Sequence, residues 1–596
     1  MVTKEKHIAK WLKEERLYYV TMAALINALD SYTPMQIGEK GHAEYAWSND
    51  LQEKILQLSF QFTRCDSSTI ESHGQMLGQV LRNLKGSEMS REKFLELMTV
   101  AYKMIGHTRD IIEGKGEYAL AYMQILVWND LYPELARFAL SKFVSDGEHP
   151  YGSWKDIKYF CNYCRSRGMP ISDPLMQYAF DLLLQQIRLD STAERKTLAA
   201  KWVPRAKSRR FGWIFNELAV IYFKEYIETA KSVEQIDRAI TKCKMSFRKL
   251  LADMNRNLDT VQVHQCDGTW SKIDHAKTTS ITISKQKQAF LNVKKDGSQR
   301  SENADRIQCA ENFSARIKKA AAGEVEIKGA RVGLNSFTIQ AYDLIKRYSK
   351  NPSDAIQLEI DLLNSQWRDN SVQTGSLGPM VAMLDFSGSM EGDPRDVAMA
   401  LGCRIAEKSI LGKRVMSFST SPTWHNLDGC DNFVDMIRVL QKGQIGYSTN
   451  FHAAFDRILD AIIEKKLTPD QVDGMILGIF SDMQIDNPNV TAPADMESFY
   501  ESMETKYAEA GIRLWNKPFK PPHILFWNLR STTGFPCMSS QNNVSMMSGF
   551  SPALLNFFCE KGLDALKGCT PWSVLAEQMN KPRYKCLEDK LMEVLA

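Results

Sequence analysis

The 596-residue chain has no run of about eighteen apolar residues, so we expect no membrane-spanning helix. Its first residues are charged and no apolar segment follows them, so the sequence shows no secretory signal. The motifs G-x-x-x-x-G-K-[ST], H-E-x-x-H and G-x-S-x-G are absent too, which speaks against P-loop, zinc-protease and serine-hydrolase chemistry. We therefore expect a cytoplasmic protein that does not bind membranes and is not an enzyme.

Charge and cysteine are also weak signals. The net charge is only +4, which by itself does not require a nucleic-acid partner. The twelve cysteines are scattered, and Cys161–Cys164 is the single C-x-x-C, without a second pair at zinc-site spacing. These two thiols lie in a predicted helix, where packing explains them better than metal binding or redox chemistry. A reduced compartment fits this pattern better than a disulfide scaffold.

Residues 1 to about 255 show apolar positions three and four apart, which predicts one helix after another, joined by short polar connections. Stacked helical pairs of the helical-repeat kind, arranged as a solenoid or ring, would bury such faces. The part from 256 to 350 is less regular. There we predict a short strand at Val261–Val263, a polar loop over 294–312 and a helix over 337–348.

The last third alternates apolar runs with helical patterns, which is typical of an open, mostly parallel sheet covered on both faces. The predicted strands are Val381–Leu384, Val415–Phe418, Met475–Phe480 and Ile524–Trp527. We therefore predict an α/β doubly wound domain. Ligands of such sheets bind at the carboxyl ends of the strands, at the point where the strand order reverses.

Three short segments place oxygen ligands at those strand ends. The five predicted ligands of a divalent cation are Asp385, Ser387, Ser389, Thr449 and Asp482. Two carboxylates with several hydroxyls suit Mg²⁺, or another divalent cation such as Mn²⁺ or Ca²⁺, and leave room for an incoming acidic group. Two alternatives are that these residues only cap helices and turns, and that the fold is right but the site holds no metal.

These residues resemble the metal-ion-dependent adhesion site of the von Willebrand factor A domain. Asp385-x-Ser387-x-Ser389 matches the first loop of that motif, Thr449 the second and Asp482 the third. The resemblance implies metal-dependent capture of an acidic protein ligand rather than catalysis.

A basic stretch with interleaved aromatic residues is the main candidate for nucleic-acid binding. It contains Lys201, Arg205, Lys207, Arg209 and Arg210, with the aromatic residues Trp202, Phe211 and Trp213. Lysine and arginine neutralise phosphates, and exposed aromatic rings stack on unpaired bases. The alternative is an ordinary solvated basic face whose rings point into the core.

A second resemblance covers nearly the whole chain. The segments that carry it are 109–117, 151–156, 198–204, 247–251, 270–274 and Gln366-Trp367 followed by the Asp385 loop. They resemble a family of plants and large DNA viruses, catalogued as domain of unknown function 2828. Its layout is similar to the Ro ribonucleoprotein autoantigen, in which HEAT-like helical repeats, called TROVE, are closed by a von Willebrand A domain.

The resemblance to Ro implies that the helical region holds structured or single-stranded RNA. Arg109 and Lys115 in the segment 109–117 join the RNA candidates on this ground. The alternative for both is structural, because pairing with Asp110, Glu117 or Asp156 would brace helix junctions.

We predict a TROVE-like helical domain over 1–370 with an irregular insert around 256–350, a von Willebrand A-like domain over 371–565, and a helical extension over 566–596. The predicted function is an RNA-binding ribonucleoprotein scaffold with a cation site, acting as a monomer. The alternative is a metal-dependent assembly factor that needs no RNA, for which a component of a viral particle would fit. The third candidate function is that of a hydrolase.

Overall fold

The computed structural model describes residues 34–144, 149–443, 445–446, 449–472, 474–485, 499–561, 566 and 568–596. A small antiparallel hairpin, β1 (Met35–Ile37) and β2 (Ala43–Tyr45), precedes the helices. In the described residues up to 192 the helices are α1 (Leu51–Gln61), α2 (Ser67–Gly86), α3 (Arg91–Arg109), α4 (Tyr118–Leu131), α5 (Pro133–Lys142), α6 (Lys155–Ser166) and α7 (Pro174–Thr192). Asp50, Asp66 and Ser90 cap the first three, because each side chain accepts a hydrogen bond from a backbone N–H of the first turn. The predicted helix-after-helix architecture is therefore present in the described part of this region.

Nine further helices lead to the sheet. They are α8 (Ala199–Trp202), α9 (Gly212–Tyr222), α10 (Glu225–Glu228), α11 (Val233–Asn257), α12 (Val261–Asp267), α13 (Ser280–Phe290), α14 (Ala304–Ala321), α15 (Leu334–Lys350) and α16 (Asp354–Ser371).

Two predictions in the irregular segment are wrong. Residues 261–263 begin helix α12 instead of forming a strand, and the left-handed Gly268 ends that helix. Residues 304–312 of the predicted loop belong to α14, because Asn303 caps the helix and Cys309, Phe313 and Ile317 bury its apolar face four residues apart.

The α/β domain contains a six-stranded sheet in the order β5-β4-β3-β6-β7-β8. Its strands are β3 (Met380–Asp385), β4 (Arg414–Phe418), β5 (Thr423–Asn426), β6 (Ile476–Ser481), β7 (His523–Asn528) and β8 (Val544–Ser548). All neighbours are parallel except the edge strand β5, which runs antiparallel to β4. The strand order reverses between β3 and β6, which confirms a mostly parallel, doubly wound sheet. The edge strands β5 and β8 were not predicted.

Helices cover both faces of this sheet, and alternate residues of each strand point to opposite faces. The helices between strands are α17 (Asp393–Lys408), α18 (Phe433–Leu440), α19 (Phe451–Glu464), α20 (Pro469–Val472) and α21 (Phe499–Trp515). Val381 and Met383 join a core that is continuous with the first helices of the chain. Ala382 and Leu384 join a second core with α15 to α18. Helices α15 and α16, which precede the predicted boundary at residue 370, pack on this second core, and α16 also contributes Leu362 to a third core with α13 and α14.

The C-terminal segment forms α22 (Asn556–Lys561), α23 (Pro571–Met579) and α24 (Lys585–Leu595). Helix α24 packs on α3 and α5, so the predicted helical extension rests on the helical region. Arg583 donates two hydrogen bonds, of 2.6 and 2.9 Å, to the buried carboxylate of Asp110 and fixes this contact. Among the described residues, no helix is long and apolar enough to cross a bilayer.

Candidate metal centre and basic surface

The reversal point of the sheet brings the two predicted carboxylates together. Strands β3 and β6 are parallel neighbours, with Leu384 beside Phe480. Asp385 is the last residue of β3, and Asp482 directly follows the last residue of β6. Both side chains are fully buried. Asp385 and Asp482 therefore meet at the sheet edge where doubly wound domains bind ligands.

The first loop holds Asp385 in a fixed orientation. Its Oδ1 accepts a hydrogen bond of 2.8 Å from the backbone N–H of Ser387, and its Oδ2 accepts one of 2.6 Å from the Ser481 hydroxyl. The hydroxyl oxygens of Ser387 and Ser389 lie 3.1 Å apart. Three of the five predicted ligands, Asp385, Ser387 and Ser389, thus lie close together.

The second loop supplies Thr449, whose side chain is buried. The following Asn450 caps α19 by accepting from the N–H of Ala453, and its own N–H donates to the carbonyl of Ser419, the residue after β4. The Thr449 hydroxyl accepts a hydrogen bond of 2.5 Å from the ammonium group of Lys40. Tyr447 and Ser448, part of the same predicted loop, lie outside the described residues.

The third position, Asp482, already has a cationic partner. The Nη1 of Arg530 lies 3.1 Å from its Oδ2, and the Gln484 N–H donates to its Oδ1 at 3.3 Å. Burial, together with the nearby charge of Asp482, raises the pKa of Asp385 to about 7. Two buried carboxylates side by side favour any cation that can approach them.

The donor set fits a hard divalent cation. Octahedral Mg²⁺ with oxygen ligands at 2.0–2.1 Å has neighbouring ligands about 2.9 Å apart, close to the 3.1 Å between the hydroxyls of Ser387 and Ser389. Among the described residues, no three His, Cys, Asp or Glu side chains form a ligand group. A cation here would therefore be held by two carboxylates, directly or through water, and by the hydroxyls of Ser387, Ser389 and Thr449.

Two residues near this centre were missed by the sequence reasoning. Arg530 lies two residues beyond the end of β7. The rule that ligands bind at the carboxyl ends of the strands, which located Asp482, therefore also applied to Arg530. Lys40 gave no such signal, because it comes from the β1–β2 hairpin, 409 residues before Thr449.

The predicted basic stretch forms a surface that is larger than the sequence suggested. Arg205, Lys207, Arg209 and Arg210 are exposed, whereas Lys201 is half-buried and its pKa is lowered by burial. These residues belong to α8 and to the loop that leads into α9.

Helix α6 adds two more cations to this surface. Lys158 Nζ lies 4.7 Å from the centre of the Trp202 ring, and the guanidinium carbon of Arg165 lies 4.5 Å from the centre of the Trp213 ring. The three rings Trp202, Phe211 and Trp213 are half-buried and interleave with these cations. We call the cations Lys158, Arg165, Lys201, Arg205, Lys207, Arg209 and Arg210, with these three rings, the basic surface.

The structure corrects the placement of Arg109 and Lys115 in the RNA-contact set. Arg109 is buried and bonds through two nitrogens, each at 2.7 Å, to Asp156. The buried Lys115 ammonium donates to the carbonyls of Ser59 and Phe62 and to the Ser548 hydroxyl. Lys115 thereby joins the helical region to strand β8. Both side chains brace the structure, because their donors are used inside the protein.

A family model, described as a domain of unknown function (number 7788), matches residues 379–586. This segment contains all five predicted ligands and Arg530, but not Lys40. The chain is also 26% identical, over 481 residues, to an uncharacterized protein of Acanthamoeba polyphaga mimivirus. The similarity covers 76% of each chain. Together, the two similarities fit an uncharacterised family that is shared with large DNA viruses.

Proposed function

We propose that this protein is an RNA-binding scaffold whose α/β domain binds a divalent cation and, through it, an acidic ligand. The observation that carries the cation site is the meeting of Asp385 and Asp482 at the reversal point of the sheet, beside the Ser387 and Ser389 hydroxyls. The strand order and the three loops support a von Willebrand A-type domain. The proposed cation is Mg²⁺, with Mn²⁺ and Ca²⁺ as alternatives.

Binding fits this site better than catalysis. Within the described part of the chain, neither Ser387 nor Ser389 is hydrogen-bonded to a histidine, so neither hydroxyl has the base that nucleophilic catalysis requires. A centre with two carboxylates and three hydroxyl groups is suited to holding a cation and presenting it to an anion.

The cation site is tested by isothermal titration of Mg²⁺ and Mn²⁺ into the full chain. We expect binding by the wild type, loss of binding by Asp385→Ala, and unchanged binding by Asp431→Asn, which removes an exposed carboxylate of the same domain. Equal binding by the wild type and Asp385→Ala would refute this location of the site.

The RNA part of the proposal depends on the basic surface. Its exposed arginines and lysines suit phosphates, and the adjacent rings offer faces for bases. In this proposal the helical region is TROVE-like, the chain is of the domain 2828 type, and the protein is a cytoplasmic monomer.

The RNA part is tested by fluorescence anisotropy with structured and single-stranded RNA over a range of salt concentrations. The double variant Arg209→Glu/Arg210→Glu should weaken binding and flatten the salt dependence, by about 0.7 in log–log slope for each lost single-strand phosphate contact. The matched control Lys294→Glu/Lys295→Glu makes the same charge change at two exposed lysines outside the basic surface. Asp385→Ala should leave RNA affinity unchanged.

The second candidate is a cation-dependent assembly factor that needs no RNA. It is favoured by the separation of the two features, since every predicted cation ligand lies in the α/β domain and the basic surface lies in the helical region. If the RNA affinities of the double variant and its control are equal while cation binding persists, this candidate replaces the first.

A further inference from the structure

Two cationic side chains from distant parts of the chain meet the candidate metal centre. The ammonium of Lys40 lies 2.5 Å from the hydroxyl oxygen of Thr449. The Nη1 of Arg530 lies 3.1 Å from Oδ2 of Asp482 and 3.5 Å from the carbonyl oxygen of Ser389. The two cations thus contact three of the five residues predicted to hold the metal.

The hairpin that carries Lys40 is attached to the loops around the centre. The Glu39 N–H donates to the side-chain oxygen of Gln484 at 3.2 Å, beside Asp482. Tyr45 exchanges two backbone hydrogen bonds, each of 3.0 Å, with Phe535 in the β7–β8 connection. Glu44 packs so tightly against Gly534 that a Cβ at that glycine would lie 1.9 Å from Glu44 Cδ. Lys40 is therefore a half-buried cation held at the centre rather than a freely moving surface lysine.

The charges at the centre with a cation bound indicate which anion it would accept. When both are ionised, as a bound cation would require, the carboxylates of Asp385 and Asp482 balance the charges of Lys40 and Arg530. A divalent cation leaves a surplus of two positive charges at the centre, and this surplus attracts an anion. The Arg530 side chain is 43% exposed, so an incoming anion can reach it. A carboxylate or an internal RNA phosphodiester carries one negative charge and removes half of this surplus. A phosphate monoester carries about −1.5 to −2 at neutral pH and removes nearly all of it.

We propose that the cation-loaded centre binds a phosphate monoester, and that Arg530 and Lys40 select it over a carboxylate. The inference rests on the proposed cation site and names the class of acidic ligand. The planar guanidinium of Arg530 can donate two parallel hydrogen bonds to a phosphate, and the Lys40 ammonium acts as a compact point charge. The phosphate group can belong to a phosphorylated side chain or to the terminal phosphate of a nucleic acid.

The same charge count predicts that cation and phosphate help each other to bind. A cation bound at Thr449 and Asp482 is repelled by Lys40 and Arg530 until an anion arrives between them. Each ligand therefore raises the affinity of the other, and by thermodynamic linkage the two factors are equal.

The test is calorimetric titration of Mn²⁺ into the full chain, alone and with a saturating concentration of O-phosphoserine, adenosine 5′-monophosphate or acetate. We expect both phosphate monoesters to tighten Mn²⁺ binding by about tenfold or more, within the usual range of coupling between two sites. Acetate should change the affinity much less.

Variants of the two cations separate this inference from a general effect of charge. Lys40→Gln and Arg530→Gln should bind Mn²⁺ alone at least as tightly as the wild type, yet lose most of the enhancement by phosphate. Arg530→Lys keeps the charge without the planar fork, so it should retain part of the enhancement. The control Lys442→Gln, an exposed lysine of the same domain, should behave as the wild type.

The outcomes distinguish the two proposals. If Mn²⁺ binds but acetate enhances binding as much as the monoesters do, or the variants retain the full enhancement, the phosphate inference fails and the cation site stands. If the wild type and all variants fail to bind Mn²⁺, both fail. An enhancement by the nucleotide alone supports the inference with a nucleic-acid end as the source, and an enhancement by phosphoserine alone supports it with a phosphorylated side chain.

Discussion

Replacing Asp385 by asparagine should stabilise the protein when no cation is present. Burial and the neighbouring charge of Asp482 raise the pKa of Asp385 from 3.8 to about 7. Each pH unit between these two values is worth about 1.4 kcal/mol, so an ionised Asp385 costs the folded state at most about 4 kcal/mol at pH 8. Asparagine removes this charge, and its amide oxygen can still accept from the Ser387 N–H. Allowing for local relaxation, we expect the free energy of unfolding of Asp385→Asn to exceed that of the wild type by about 2 to 4 kcal/mol at pH 8.

The pH dependence has a definite sign. The folded state holds the Asp385 proton more tightly than the unfolded state, so the contribution of this group is fully present below pH 4 and is lost as the pH rises through about 7. The advantage of Asp385→Asn should therefore be at most about 4 kcal/mol at pH 8, fall below about 2 kcal/mol at pH 5 and disappear below pH 4. At a Mg²⁺ concentration of one hundred times its dissociation constant, the free energy of unfolding of the wild type should rise by about 2.7 kcal/mol. That of the variant should rise little.

Urea unfolding at pH 5 and pH 8, in EDTA and in Mg²⁺, measures these differences. The exposed Asp431→Asn serves as the control and should change stability by less than about 0.5 kcal/mol. If the Asp385→Asn variant is no more stable than the wild type at pH 8 in EDTA, the two buried carboxylates do not destabilise each other. That result would refute the predicted cost of ionising Asp385.

Two further predictions concern contacts between the parts of the molecule. Arg583→Ala leaves the buried Asp110 carboxylate without its guanidinium, so the free energy of unfolding should fall by about 3 to 5 kcal/mol in urea titrations; an unchanged midpoint would contradict the role of this ion pair. Gly534→Ala places a Cβ against the buried Glu44 and should loosen the β1–β2 hairpin. Hydrogen exchange of the backbone amides in residues 35–45 should then become faster. Gly86→Ala, where nothing lies within 4 Å of the added Cβ, is the control, and equal exchange in both variants would contradict the close contact.

Local sequence was sufficient to predict the strands that carry the candidate centre. Short apolar runs that end at Asp385 and just before Asp482 predicted buried parallel strands, because such strands are covered on both faces. Their carboxyl ends share one edge of the sheet, so the order of strands and helices along the chain already brought these carboxylates together. The edge strand β5 escaped this reasoning, because its four residues are too short to show a clear periodicity.

Periodicity and residue type in the sequence were enough to predict the alternation of elements, the two carboxylates at the strand ends and the basic run from Arg205 to Arg210. The folded structure was needed to show which charges are buried and which cations reach the metal centre. Lys115 and Arg209 look alike in sequence, yet one lies inside a contact between helical region and sheet and the other in solvent. Lys40 reaches Thr449 across 409 residues. Such placements depend on the packing of distant elements, which local propensity and periodicity do not specify.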